Sequence, residues 1–212
     1  FARALERRYR DLGGEILYRV PARRTMLDGP RATGVRIATR QGEEDYRADV
    51  VVSAADAHAT VYDLLGERYV TDRVRRYFEA EPDHLEMSVH VSFGIAHDLR
   101  GRAPALSFLL PEARDLAGCQ HDHLDVEVYP SDTGLAPEGK TVLKVMLRSR
   151  YAYWSDLARE RTRYEEAKQC LAAEVLSLLE EGLPEISGRV EMIDVATPLT
   201  TARYTGNYHG AQ

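Results

Sequence analysis

The sequence predicts an α+β fold, built mainly from an antiparallel β-sheet with helices on one face. Apolar and polar residues alternate from Met87 to Ile95, as in a strand with one buried face. A long amphipathic helix is predicted between the last two strands. Because strands and helices do not alternate regularly along the chain, an antiparallel sheet is favoured over a parallel one.

The first elements are a helix, three strands and a second helix. Phe1, Leu5, Tyr9 and Leu12 make one apolar helical stripe, which Gly13-Gly14 would end. The predicted strands cover residues 15–20, 33–39 and 46–54. In the third, Val50-Val51-Val52 is a continuous apolar run, typical of a strand buried on both faces.

Asp56 is expected to cap a helix of about ten residues that ends at Gly66. We place a domain boundary there, which gives domains of residues 1–66 and 67–212 joined by a short charged helix over residues 72–80. In the second domain Thr162 and Glu165 predict a capping box for the long helix, which ends near Gly182. The strands predicted there cover residues 87–95, 106–110, 124–129, 141–147 and 189–195.

Composition restricts the class of protein. With 212 residues, 44% hydrophobic and 29% charged, the chain is expected to fold rather than remain disordered. Residues 1–47 carry a net charge of +4 and residues 48–212 one of −10, so the acidic body disfavours binding to nucleic acid. There is no apolar run long enough for a membrane span and no signal peptide, so we expect a cytoplasmic protein. The first residue is Phe1, and we expect the chain to be a piece of a longer one.

Motifs for phosphate loops, nucleophile elbows and zinc proteases are absent from the sequence. Cys119, His121 and His123 form the best metal-like cluster, but we interpret them as an exposed polar loop and expect no metal site. Cys119 and Cys170 are too few for a disulfide framework, and their spacing leaves pairing open.

Two sets of residues are candidates for contact with a ligand. His90 would face a pocket if its strand turns that side towards one, the alternative being a solvent-facing or structural histidine. The aromatic residues would line an apolar channel or pack in the core beside the long helix: Tyr151, Tyr153 and Trp154.

Several short blocks, in order, resemble phytoene desaturase-like FAD-dependent oxidoreductases. The first are Gly13-Gly14-Glu15-Ile16, Ala32-Thr33-Gly34-Val35 and Ala48-Asp49-Val50-Val51-Val52-Ser53-Ala54-Ala55-Asp56. The later ones are Leu135-Ala136-Pro137-Glu138-Gly139-Lys140, Thr197-Pro198-Leu199-Thr200 and Arg203-Tyr204-Thr205-Gly206-Asn207. The resemblance therefore runs over nearly the whole chain.

The resemblance implies a flavoenzyme whose discontinuous FAD-binding domain is interrupted by a substrate-binding domain. Residues 1–66 would then be a β-rich remnant of the Rossmann-like FAD-binding domain, and residues 67–212 the substrate-binding domain. By the same resemblance Ala22, Ser53 and Ala54 are expected to lie against FAD. The family's glycine-rich fingerprint has no match here, so FAD is expected in the intact protein and not tightly bound by this chain alone.

In such enzymes the flavin accepts hydride and the protein orients an apolar substrate and excludes water. We therefore assign no catalytic residue, and we assign His90, Tyr151, Tyr153 and Trp154 to substrate binding. The expected partners are an apolar isoprenoid or polyene and the remaining FAD-binding segments of the same protein. A flavin-dependent cis–trans isomerase of polyenes and a non-catalytic ligand-binding module stay open as alternatives, as does contact with a membrane.

Overall fold

The computed structural model describes residues 1–79 and 87–211. It divides the chain into two units, Phe1–Arg76 and Tyr77–Gln212. The predicted connecting helix is α2, Asp72–Glu79; Ala80, its expected last residue, lies outside the described residues. The domain boundary at residue 66 stays a prediction.

The first unit contains one helix, an antiparallel sheet and a π-helical segment. Helix α1 spans Ala2–Asp11, and the strands are β1 (Ala22–Asp28), β2 (Arg31–Thr39) and β3 (Gly42–Arg47), in the order β1-β2-β3. Gly34 is required where β2 pairs with the end of β3, because a Cβ on it would lie 2.1 Å from the carbonyl oxygen of Tyr46. Met26 and Ile37 are the buried apolar residues of this sheet.

Two of the strand predictions in this unit are wrong. Residues 15–20 form no strand, and the third strand begins earlier than predicted and ends at Arg47, so residues 48–54 belong to no strand, although the backbone N–H of Ala48 still donates a hydrogen bond of 3.1 Å to the carbonyl oxygen of Thr33. Val50 is 75% and Val52 84% exposed. The apolar run has the composition of a buried strand, but no neighbouring strand within the described residues covers it.

The helix predicted after Asp56 is confirmed in position and corrected in type. It is a π-helical segment, Ala59–Leu64. The Asp56 Oδ1 atom accepts a hydrogen bond of 3.1 Å from the backbone N–H of Ala59. Gly66 follows with φ of 62°, the left-handed conformation expected of a residue that ends a helix.

The second unit is a five-stranded antiparallel sheet with helices on one face, as predicted. Its strands are ordered β5-β6-β7-β4-β8. They comprise β4 (Met87–Ile95), β5 (Ala105–Leu116), β6 (Cys119–Pro130), β7 (Thr141–Ser149) and β8 (Val190–Ala196). The helices are α3 (Tyr151–Leu157), α4 (Arg161–Gly182) and α5 (Pro198–Thr205).

The core of this unit lies between the sheet and α3 and α4. Val89, Val91 and Phe93 of β4 are fully buried there, which confirms the alternation predicted for this strand. From α4 the buried side chains are Leu171, Ala172, Val175 and Leu179. These residues fall on one side of the helix at spacings of three and four, so a single stripe covers the sheet.

The capping prediction for α4 is wrong. The helix begins at Arg161 after Glu160, and no side chain caps its first turn. A capping box forms instead at α5, where Thr197 and Thr200 exchange hydrogen bonds between their hydroxyls and backbone N–H groups.

Candidate functional site

The sheet of the second unit has a second face, which we call the outer face. On β4 it consists of Ser88, His90, Ser92 and Gly94, which alternate with the buried core residues. Strand register puts their partners on the same face: Val142, Lys144, Met146 and Arg148 of β7, and Met192, Asp194 and Ala196 of β8. The outer face is thus a mixed polar and apolar surface.

A line of polar residues crosses this face, and we call it the polar row: Glu127, Lys144, Ser92 and Asp194. Glu127 pairs with Lys144, Lys144 with Ser92, and Ser92 with Asp194, on four neighbouring strands. The Lys144 Nζ atom lies 2.9 Å from Glu127 Oε2. The Tyr129 hydroxyl donates a second hydrogen bond, of 2.8 Å, to the same oxygen.

These contacts favour the ionised form of Glu127. The hydrogen bond from Lys144, and then that from Tyr129, holds the pKa of Glu127 below its usual value. The same contact with Glu127 raises the pKa of the Tyr129 hydroxyl. At neutral pH the row therefore presents an ammonium group and an ionised carboxylate side by side.

His90, the predicted ligand-contact histidine, does lie on the outer face. Its Nε2 atom is 2.9 Å from Ser88 Oγ, and its cross-strand partners are Met146 and Ala196. The Ser88 and His90 pair is half-buried. Its position next to the polar row makes it the sequence-predicted residue best placed for contact with a molecule on this face.

The predicted aromatic set does not form one channel. Trp154 is 0% exposed, and its Nε1–H donates a 2.8 Å hydrogen bond to Ser149 Oγ. Because Ser149 and Trp154 both belong to the core face, Trp154 is a packing residue, and we remove it from the candidate site. Of the two interpretations of Trp154, lining a ligand channel or packing in the core, its complete burial favours packing in the core.

Tyr151 and Tyr153 extend in different directions from α3. The Tyr151 ring stacks on His209, with centroids 4.3 Å apart. The Tyr153 ring lies over Gly118, where a Cβ would be 2.7 Å from it, and burial raises the pKa of its hydroxyl. Their role in substrate binding stays a prediction.

The residues expected against FAD lie in the first unit. Ala22 is the exposed first residue of β1 and pairs with Ile37. Ser53 and Ala54 are exposed at the end of the unpaired run, and the Ser53 and Thr60 hydroxyls are 2.7 Å apart. Their small side chains leave the backbone open to close approach.

Cys119, His121 and His123 are on strand β6, so the expected loop is wrong. Buried His121 has Nε2 3.1 Å from the carbonyl oxygen of Arg148, and burial lowers its pKa. Exposed His123 has Nδ1 2.6 Å from Asp122, whose hydrogen bond raises the histidine pKa. Over residues 1–79 and 87–211, no group of three or more His, Cys, Asp or Glu is arranged to hold a metal ion.

Sequence reasoning missed the polar row. Glu127 and Lys144 each lie on a strand that was predicted, but their pairing depends on register, which the pattern of single strands does not specify. The alternation within residues 141–147 was the available signal, because it puts Lys144 on the side opposite Leu143 and Val145.

The chain is similar in sequence to named proteins over most of its length. No protein-family model matches the chain. Prolycopene isomerase from Daucus carota is 26% identical over 99% of this chain and 34% of its own length, and that from Arabidopsis thaliana is 28% identical over 94% and 33%. All-trans-retinol 13,14-reductase from Danio rerio is 25% identical over 94% of this chain and 37% of its own length. The chain thus spans about a third of the length of these curated relatives.

The fold is also found in a solved structure. The crystal structure of an oxidoreductase from Methanosarcina mazei matches 92% of this chain and 40% of that one, with a TM-score of 0.59 and 20% identity. Among the helices of the described ranges, none has the length and apolar character needed to cross a bilayer. The names of the sequence relatives agree with the resemblance of the sequence blocks to phytoene desaturase-like oxidoreductases, and the chain is similar to these isomerases and this reductase over nearly its whole length.

Proposed function

We propose that the intact protein is an FAD-dependent oxidoreductase acting on an apolar isoprenoid or polyene. In this proposal residues 1–66 supply part of the FAD-binding domain and residues 67–212 the substrate-binding domain. FAD, when bound, supplies the hydride acceptor. The chain's own residues bind and orient the substrate and exclude water, and none is assigned as catalytic.

The observation that carries the proposal is the apolar surface of the first unit. The helical stripe of α1 is exposed along its length, and none of the residues of α1 is buried. Val50 and Val52 are exposed as well, in a run with the composition of a central strand. Large exposed apolar patches mark surfaces that other protein covers. The remaining FAD-binding segments are the occupant that fits a chain spanning a third of its relatives.

The fit to FAD rests on the end of that apolar run. Ser53 and Ala54 are small and exposed, so the backbone there can approach a flat cofactor closely. Ala22 leaves similar room at the start of β1. Because these contacts are few, FAD retention requires segments beyond this chain.

The outer face of the second unit is the surface that we assign to the substrate. Its other side is closed by the core, and His90 with its neighbours provides half-buried groups that a bound molecule would desolvate. Orientation of the substrate against a fixed acceptor is the contribution expected of such a surface.

The second candidate is a flavin-dependent polyene isomerase. The names of two relatives, both prolycopene isomerases, favour it. The two activities differ in net electron transfer, because isomerisation leaves the substrate at the same oxidation level.

The test is made on the full-length protein. We expect the visible absorption bands of oxidised flavin in the purified protein and their bleaching on anaerobic mixing with a polyene substrate. Conversion between cis and trans isomers without lasting bleaching would favour the isomerase. A colourless protein that FAD does not reconstitute contradicts both and leaves the non-catalytic ligand-binding module.

A pair of variants tests the part of FAD binding assigned to this chain. Ala54→Trp is expected to lower the flavin content of the full-length protein, because the indole would fill the space beside the backbone. Ala103→Trp, at an exposed loop alanine of the second unit, is the matched control and should leave flavin content unchanged. Equal flavin content in both variants would contradict the assignment of Ala54.

A further inference from the structure

The polar row has an apolar strip of the outer face on one side and half-buried His90 on the other. On one side Val142, Gly94 and Met192 are cross-strand neighbours. On the other side Met146 and Ala196 flank His90. Gly94 makes the apolar strip shallow, and a Cβ added there would lie only 3.2 Å from the Cβ of Met192. The surface thus offers apolar contact to a hydrocarbon chain on the Gly94 side of the polar row.

The polar row combines donors with acceptors. Lys144 donates to Glu127. The Lys144 side chain is 26% exposed and the Glu127 side chain 38% exposed. Ser92 lies between Lys144 and Asp194 in the strand register. The row contains one lysine, which pairs with Glu127, and a second acidic residue, Asp194, on the far side of Ser92, so its formal charge is negative.

This arrangement discriminates among three kinds of substrate. A pure hydrocarbon across the row would remove water from charged groups and return no hydrogen bond, which is unfavourable. A carboxylate would add a third negative charge beside Glu127 and Asp194. A hydroxyl group is neutral and both donates and accepts, so it matches the donors and acceptors of the row.

Resting on the proposed function, we infer that the substrate is an isoprenoid alcohol whose hydroxyl lies at Ser92 and Lys144 while its hydrocarbon chain follows the apolar strip. Ser92 and Lys144 are then residues that determine specificity. They select the oxygenated form of the substrate over the corresponding hydrocarbon and the corresponding acid.

The test compares three matched probes on the full-length protein: all-trans-retinol, the deoxygenated hydrocarbon with the same chain, and retinoic acid. Binding is measured by the change in ligand or protein fluorescence, which does not depend on turnover. We expect the alcohol to bind about tenfold more tightly than the hydrocarbon, the factor for one net hydrogen bond, and more tightly than the acid because the acid adds negative charge to the row.

Variants test whether Ser92 and Lys144 cause the preference for the alcohol. Ser92→Ala should reduce the alcohol-to-hydrocarbon ratio to near unity by weakening only the alcohol. Ser107→Ala is its control, because Ser107 lies opposite an aspartate on the neighbouring strand, as Ser92 does, but is on β5 and off the polar row. Lys144→Met should abolish discrimination between alcohol and hydrocarbon, and its control is Lys140→Met, at a lysine that pairs with Glu191 off the polar row. Lys144→Arg keeps the charge beside Glu127 and is used if Lys144→Met does not fold.

Equal binding of the alcohol and the hydrocarbon, or an equal loss for both probes in Ser92→Ala, would overturn the inference. The result is separate from that of the flavin test. Alcohol-selective binding by a protein without flavin supports the inference and contradicts the oxidoreductase. Flavin-linked turnover of a hydrocarbon without preference for the alcohol leaves the oxidoreductase and removes the inference.

Discussion

Two histidines on the same strand show how local contacts set the chemistry of single residues. His121 and His123 are two positions apart on β6, but burial lowers the pKa of His121 and the Asp122 carboxylate raises that of His123. The strand changes its burial phase between them, so that His121 points into the protein and His123 into solvent. A sequence pattern with strict alternation assigns both to one side.

NMR titration of the histidine ring protons checks this difference. We expect His121 to titrate below the ordinary value of about 6.5 and His123 above it. For His121 the unfolded chain binds the proton first, so its stabilisation is complete above about pH 6.5 and is lost as the pH falls towards the folded pKa. For His123 the stabilisation is present at low pH and is lost as the pH rises through the raised pKa. Titration of both at one pH would contradict the burial of His121.

Ser149 provides a second prediction at this scale. Its hydroxyl accepts a hydrogen bond from Trp154 Nε1 and donates one of 2.8 Å to the carbonyl oxygen of Ala117, all within the core. Ser149→Ala leaves a buried indole N–H and a carbonyl oxygen without this partner, so it should lower the free energy of unfolding by about 1–3 kcal/mol. Urea denaturation measures the change. Ser155→Ala, at a half-buried serine of α3 whose hydroxyl donates to the carbonyl oxygen of Ala152 in its own helix, should stay within about 0.5 kcal/mol of the parent.

At the scale of elements, the sequence predicts best where one strand carries its own signal. The strand from Met87 to Ile95 was predicted at its observed bounds because its alternation depends only on a single buried face. Residues 48–54 were predicted as a strand from composition alone, yet a strand also requires a neighbour to bond with. The Thr162 and Glu165 pattern failed for a similar reason, since the helix starts where the chain leaves α3 and not where a capping pair is available.

The candidate site was predictable only in part. His90 follows from alternation on its own strand, whereas the polar row requires the order and register of β6, β7, β4 and β8. The sequence alone assigns Trp154 to the candidate site, because an aromatic side chain fits a ligand channel as well as it fits a core. Only the hydrogen bond to Ser149 and its complete burial distinguish the two.

The start of α5 depends on a hydroxyl that serves two elements. Thr197 caps α5 and lies 2.8 Å, oxygen to oxygen, from the hydroxyl of Tyr164 on α4. Thr197→Val keeps the shape and removes the oxygen, so we expect a loss of about 1–2 kcal/mol in the free energy of unfolding. A double-mutant cycle with Tyr164→Phe measures the share of the contact with α4. Strict additivity of the two changes would show that the hydroxyls do not interact.

For the whole molecule, the proposal that other segments cover the exposed run of the first unit predicts different effects of one substitution in the 212-residue chain and in the full-length protein. Val52→Asp should change the stability of the 212-residue chain by less than about 0.5 kcal/mol, because the side chain is 84% exposed. In the full-length protein the same change should lower stability and flavin content, since the proposal buries Val52 beneath other FAD-binding segments.

The control is Leu135→Asp, at an exposed apolar residue in a turn of the second unit. It should have little effect in either form. A full-length Val52→Asp protein with unchanged stability and flavin content would argue against a covered surface at this position.

The two neighbours of β4 determine when the second unit can fold during synthesis. Its partners β7 and β8 both follow far along the chain, and His90 pairs with Ala196. A nascent polypeptide must therefore be extended by roughly a hundred residues, on the order of 10 s at ordinary elongation rates, before the central strand has both neighbours. Until then Val89, Val91 and Phe93 are without their final packing. Slow translation over this interval thus prolongs the period in which chaperones can bind the growing chain.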